Sequence, residues 1–193
     1  TYHTPSDAAT ADGKAGYIAA ANNTTGADVL DTISNFESFI GSSRADYIAL
    51  GSGGGLTANG GAGIDVIVNN GTGVDTLIGG AANDVFEYAT SAAFIGATSG
   101  ADAVIDSITG GDGTADVIKI AGTIGIGAAG ADTLARVASV EKLAAAANAD
   151  GSNNYTHAIT IASDAAMGSV RTIDLSADVD ADATTAITLT GVT

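Results

Sequence analysis

The chain has no cysteine, no tryptophan and one proline, and its Lys+Arg total is 6. Each shortage excludes something. Without cysteine there are no disulfides, no thiolate metal sites and no thiol nucleophile. Six basic residues against 22 acidic ones give a formal net charge of -16, which argues against nucleic acid as a partner. No run reaches the roughly 18 apolar residues of a membrane-crossing helix, so no transmembrane segment is expected. Collagen would need a strict glycine period and far more proline. The two histidines, His3 and His157, match no zinc motif such as H-E-x-x-H. No G-x-S-x-G elbow is present, and the glycine-rich stretch 51–55 lacks a Gly-Lys-Ser/Thr ending. The chain is therefore expected not to be an enzyme, and His157 is read as an ordinary surface or strand residue.

What remains is apolar, small and aspartate-rich. Hydrophobic residues make up 46% and mean hydropathy is +0.30, enough to build a core and to exclude disorder. With 5% aromatics, that core must come from Val, Ile, Leu and Ala. Only Glu37, Glu87 and Glu141 are glutamates; the other acids are aspartates. Aspartate suits turns and hard-cation sites, whereas glutamate suits helices.

The aspartates repeat. Asp28, Asp46, Asp65, Asp75, Asp84, Asp102, Asp116 and Asp132 each follow a small or turn-forming lead-in and precede an aliphatic or Phe two places on. Asp46, Asp65 and Asp84 are 19 residues apart, with Gly41, Gly60 and Gly79, and Ile48, Ile67 and Phe86, in the same register. Such a period describes a coil of two turns and two short strands. Period-2 alternation points apolar side chains of each strand inward, and glycine supplies positive φ in the turns. The register puts Asp28, Asp46, Asp65 and Asp84 on one edge. Asp75 falls on the other, stacked after Glu37 and Leu56.

Gly60-Gly61-Ala62-Gly63-Ile64-Asp65-Val66-Ile67-Val68 matches G-G-x-G-x-D-x-U-x at every fixed position, the calcium-binding nonapeptide of repeats-in-toxin (RTX) proteins. Gly79-Gly80-Ala81-Ala82-Asn83-Asp84-Val85-Phe86-Glu87 lacks only the third Gly, and Asn70-Gly71-Thr72-Gly73-Val74-Asp75-Thr76-Leu77-Ile78 only the first. Phe36-Glu37-Ser38-Phe39-Ile40-Gly41-Ser42 resembles the family's lead-in, and residues 103–108 with 116–120 resemble its closing segment. Arg44 and Leu56 depart from the pattern, standing where a Gly and an Asp belong.

The resemblance implies an all-β, right-handed parallel β-roll or β-helix, a solenoid binding Ca²⁺ within about residues 26–120. Residues 1–25 form a lead-in, open to a short helix over 7–21. Residues 121–193 read as a metal-poor continuation, with strands at 158–161, 170–175 and 186–190 and a possible short helix at 144–147. Stacked turns lie about 4.8 Å apart. Two carboxylates at that distance repel by roughly 1 kcal/mol in water and 3–4 at an effective dielectric of 20. A calcium ion between them reverses the sign, taking carboxylate and carbonyl oxygens at about 2.3–2.6 Å. The candidate ligands are Asp46, Asp65 and Asp84, with turn residues Gly60, Ala62, Gly63, Gly79 and Ala81, and then Asp28, Asp75, Asp102 and Asp116. The Asp75 edge is expected to bind poorly. Asp178-Val179-Asp180-Ala181-Asp182 has an EF-hand-like start, but Ala183 and Leu189 stand where Gly and Glu are required. It is read as a solvated acidic loop.

In function the resemblance implies a secreted, cell-surface protein exported by type I secretion, with a C-terminal signal for which 184–193 is suitable. The start at Thr1 without Met is expected of a processed product or a fragment. Zero Cys and abundant Ala, Thr and Gly look most like surface-layer or matrix proteins, whose partners are calcium and further copies of the chain. The alternatives are the C-terminal roll of a secreted protease, lipase or epimerase, and a module of a large adhesin.

Overall fold

Short aliphatic runs separated by glycine-rich turns cannot sustain helices, because each turn breaks the i to i+4 ladder. They suit short strands. The computed structural model describes residues 16–20, 31–33, 37–51, 53–95, 105–126, 134–146, 156–161, 168–178 and 184–189. Among these it has strands β1 (Gly16–Ala20), β2 (Asp31–Ile33), β3 (Ser38–Ile40), β4 (Asp46–Leu50), β5 (Thr57–Ala62), β6 (Val66–Asn69), β7 (Thr76–Ala81) and β8 (Val85–Tyr88). A one-turn helix α1 (Ser91–Ile95) follows. Then come β9 (Ser107–Asp112), β10 (Val117–Ile120), β11 (Gly125–Ile126), β12 (Val137–Ala138), β13 (Lys142–Ala145), β14 (Thr156–Ile161), β15 (Thr172–Asp174) and β16 (Thr184–Leu189).

The fold is all-β and dominated by two parallel sheets. Sheet one runs β15-β13-β10-β8-β6-β4-β1-β2 and sheet two runs β12-β9-β7-β5-β3. From β3 to β10, apart from α1, successive strands alternate between the two sheets. Each strand pairs in parallel with the next one of its own sheet. The chain therefore crosses from sheet two to sheet one along one edge of the molecule and returns along the other. The 19-residue register holds residue by residue: Ile48 pairs with Ile67, and Ile67 with Phe86.

Inward rows make the core. In sheet one Ile48, Ile67, Phe86, Ile118 and Leu143 lie side by side, each 0–1% exposed. In sheet two Ala58, Leu77, Ile108 and Val137 form the facing row of the same core. Burying one such aliphatic contributes about 1.5–3 kcal/mol, so these rows hold the sheets together without polar help. A second inward row of sheet one reads Leu50, Asn69, Tyr88, Ile120 and Ala145. Its one amide, fully buried, is conspicuous among apolar neighbours.

Between β8 and β9 the 19-residue spacing is interrupted. The inserted segment carries α1, capped by the Thr90 hydroxyl, which accepts the Ala93 N–H at 3.1 Å. Phe94 stacks edge-on against Tyr88 with ring centroids 5.1 Å apart.

Several expectations are corrected. Residues 16–20, inside the region open to a helix, form β1, which runs antiparallel to β4 and β2. Of the stretch 144–147 open to a short helix, Ala144 and Ala145 are strand, because β13 lies between β10 and β15 and its backbone groups complete their ladders; residue 147 lies outside the described residues. Part of the C-terminal region leaves the two sheets: β11, β14 and β16 form a separate three-stranded parallel sheet. His157 is a strand residue but not a surface one. Its side chain and that of Asp178 are 1% and 3% exposed, with Nε2 2.7 Å from the Asp178 carboxylate. Its Nδ1 accepts the Ile124 N–H at 3.1 Å, so Nε2 carries the proton that is donated to Asp178. Asp178 is thus the buried partner of a histidine rather than part of a solvated loop; residues 179–183 lie outside the described residues.

Candidate metal centre

The crossings from sheet two to sheet one bring four aspartates into one column. Asp46 opens β4, and Asp65, Asp84 and Asp116 immediately precede β6, β8 and β10. The Asp46 carboxylate accepts the Ser42 N–H through Oδ2 at 2.5 Å, and each of the other three reaches back to the aspartate before it. The Asp46 N–H donates to Asp65 Oδ1 at 2.7 Å, that of Asp65 to Asp84 Oδ1 at 2.8 Å, and that of Asp84 to Asp116 Oδ1 at 2.6 Å. The column closes on Glu141, whose Oε2 accepts the Asp116 N–H at 2.9 Å. Asp84 and Asp116 are 32 residues apart rather than 19, because the inserted segment lies between them.

One oxygen of each aspartate is left over. Asp46 Oδ1, Asp65 Oδ2, Asp84 Oδ2 and Asp116 Oδ2 are buried without a hydrogen-bond partner. A buried acceptor without a donor costs about 1–3 kcal/mol, and more when charged. Four in one column mark a place where the protein alone does not complete its own chemistry.

Glycine lines this column for a steric reason. A Cβ on Gly60 would sit 2.2 Å from Asp65 Oδ2 and 2.6 Å from the Gly79 carbonyl oxygen. On Gly79 it would sit 2.3 Å from Asp84 Oδ2 and 2.6 Å from the Gly110 oxygen; on Gly110, 2.5 Å from Asp116 Oδ2 and 1.8 Å from the Ser139 oxygen. Each of these glycines therefore keeps open the space between its own turn's carboxylate and the next turn's carbonyl. In each case the two oxygens lie within the roughly 5 Å that a calcium ion bonded to both at 2.3–2.6 Å can span. The residues present thus fit a hard cation.

Electrostatics point the same way. Burial pushes Asp65 up to about 7, against the Asp46 N–H that lowers it and with the Asp84 and Asp46 charges that raise it further. Burial pushes Asp84 up to about 6, with Asp116 adding to the rise, and raises Asp116 beside Glu141. Among the described residues no lysine or arginine forms an ion pair with these aspartates.

The opposite edge is built differently. Leu56, Asp75 and Asp106 precede β5, β7 and β9. Leu56 turns its side chain into the core, and its N–H donates to Asp75 Oδ1 at 2.8 Å. The Asp75 N–H donates to Asp106 Oδ1 at 2.8 Å. Asn69 Nδ2 donates to Asp75 Oδ2 at 3.1 Å and to Asp106 Oδ2 at 2.9 Å, and the Tyr88 hydroxyl donates to Asp106 Oδ2 at 2.7 Å. Every carboxylate oxygen here has a donor. Burial still raises Asp75, and pushes Asp106 up to about 6.

Of the candidates read from sequence, Asp46, Asp65, Asp84 and Asp116 share the column, with Gly60 and Gly79 beside it. The Ala81 carbonyl already accepts the Gly63 N–H at 3.1 Å, and the Ala62 N–H donates to the Ser42 carbonyl at 3.0 Å. Gly63 has φ +113 and packs on the Arg44 backbone, where a Cβ would lie 2.5 Å from the Arg44 carbonyl carbon. Asp75 stands apart on the second edge, and Asp28 and Asp102 lie outside the described residues. Sequence reasoning missed Asn69, Tyr88, Asp106 and Glu141 as parts of these edges. Asp106 is hidden by its 31-residue offset from Asp75. Asn69, polar in a row of inward apolar residues, was the available signal.

Among the described residues no three His, Asp or Glu side chains converge on one point; the donor set is one carboxylate oxygen per turn plus backbone carbonyls. No helix among them is long and apolar enough to cross a membrane. No protein-family profile, curated protein or solved structure matches the chain.

Proposed function

We propose that this chain is a calcium-binding structural module: a right-handed parallel β-roll of the repeats-in-toxin type, closed along one edge by Ca²⁺. The observation that carries the reading is the column of four buried, unpartnered carboxylate oxygens, those of Asp65, Asp84 and Asp116 lying beside glycines that leave room for an ion. Asp46, Asp65, Asp84 and Asp116 would hold the cations, with the carbonyls of residues 60, 79, 110 and 139. When bound, calcium supplies positive charge to these carboxylates. Calcium titration with the bound ions counted by native mass spectrometry tests this. Asp65→Ala and Asp84→Ala should each lose at least one ion relative to the unsubstituted protein. Full retention in both would sink the proposal.

The reading extends to place and assembly. Extracellular calcium is plentiful enough to fill modules with dissociation constants of about 10⁻⁴–10⁻³ M, which suits an exported surface-layer or matrix protein. A chain at -16 repels its copies, and each bound ion removes two charges. Among the described residues no strand pairs with the outer side of β3, where Ile40 is 69% exposed; such an edge can template another chain. Light scattering should therefore rise with calcium and fall again with EGTA. A monomer at every calcium concentration would remove assembly from the proposal while leaving the ion count untouched.

A further inference from the structure

Both edges stack carboxylates before successive strands, Asp75 and Asp106 on the second, yet among the described residues only the first leaves carboxylate oxygens unpartnered. We infer that Asn69 is the residue that keeps metal out of the second edge: its amide nitrogen stands between Asp75 and Asp106 where a cation would otherwise be needed.

The geometry uses the whole amide. One Nδ2 hydrogen goes to Asp75 Oδ2 at 3.1 Å and the other to Asp106 Oδ2 at 2.9 Å. Asn69 Oδ1 accepts the Gly71 N–H at 2.9 Å. That is two donors and one acceptor, each matched to its partner. The reversed amide would set an oxygen against two carboxylates and an NH₂ against an N–H, so the partners fix its orientation. The Tyr88 hydroxyl takes a further lone pair of Asp106 Oδ2. Asn69, Asp75, Asp106 and Tyr88 are all at most 2% exposed, so the network is shielded from bulk solvent.

On the Asp65 edge no side chain among the described residues bridges successive carboxylates in this way. The inward positions that precede Asp65, Asp84 and Asp116 are Gly60, Gly79 and Gly110, which carry no side chain and so offer no such donor. A single side chain in an inward row of sheet one thus decides what fastens the second edge. An NH₂ group supplies partial positive charge at fixed hydrogen-bond distance, and hard cations need oxygen donors instead.

The inference predicts a gain of binding, which a merely structural role does not. Asn69→Asp keeps an oxygen for the Gly71 N–H and places a second one where the NH₂ stood. Three carboxylates then face one another, a donor set that suits Ca²⁺ and is strongly repulsive without it. By native mass spectrometry at saturating calcium chloride, the Asn69→Asp protein should carry one ion more than the unsubstituted protein. Its melting temperature should also gain more from calcium. An unchanged ion count in folded Asn69→Asp protein would overturn the inference. So would a metal peak bonded to Asp75 or Asp106 in a crystal structure of the unsubstituted protein grown with calcium, and that measurement decides the matter if the variant does not fold. The result is separable from the calcium reading of the Asp65 edge: a protein that binds no ion until Asn69 is replaced would refute that reading and leave this inference standing.

Discussion

At pH 7 the protein in EGTA should melt about 20 °C or more below the protein in millimolar calcium. One site filled at 100 times its dissociation constant adds about 2.7 kcal/mol. Three or four such sites, as the four unpartnered oxygens suggest, would add roughly 8–11 kcal/mol by the same relation. For a chain of this size each kcal/mol moves the midpoint by about 2–4 °C. The effect has two sources. Calcium satisfies oxygens that otherwise stay buried without a donor, and it removes repulsion within a chain of net charge -16. Differential scanning calorimetry with magnesium as a control tests both. Magnesium demands near-octahedral geometry and gives up its waters reluctantly, so it should restore little. Melting temperatures within about 3 °C of each other in EGTA and in calcium would refute the idea that the column is a working metal site.

Without calcium, acid should strengthen the fold, contrary to the usual trend for an acidic protein. Asp106 is held at about 6 in the folded state by burial, above the ordinary carboxylate value of 3.8. Between those two values the folded state binds more protons than the unfolded one, so stability falls as pH rises. The stabilising proton is fully in place below about 4 and is lost as pH climbs through 6. For Asp106 alone the difference is about 3 kcal/mol. Asp75, and Asp65, Asp84 and Asp116 in the calcium-free column, are shifted in the same direction. The urea midpoint in EGTA should therefore rise steadily from pH 7.5 to pH 4.5. A midpoint that is flat or falls over that range would show that these aspartates are ionised in the folded protein at ordinary values.

Much of the fold was legible in the chain because its repeat is covalent. The 19-residue spacing of Asp46, Asp65 and Asp84 states which residues stack, and the pairing of Ile48 with Ile67 and of Ile67 with Phe86 follows directly. Period-2 alternation likewise identifies the inward residues, since a strand buries every second side chain. Legibility fails where the spacing changes. The inserted segment with α1 shifts Asp106 and Asp116 out of register, and nothing local to them says which earlier aspartate they will meet. The alanines of β13 show the other kind of failure. Their intrinsic preference is helical, but strands on both sides supply a ready ladder and decide for strand.

The sequence by itself determined that the acids would be stacked in turns beside glycine, because chain spacing and backbone freedom are local properties. Only the tertiary structure decided which stacked acids would lack a donor. Asp65 and Asp75 stand in nearly the same nonapeptide, yet Asp65 Oδ2 is unpartnered while Asp75 Oδ2 receives the Asn69 amide. The difference comes from residues outside the motif: Asn69 from β6, and Tyr88 from β8, whose hydroxyl reaches Asp106. Hydrogen bonding is settled by what lies within about 3 Å in space, and neither residue lies where the repeat would place a ligand.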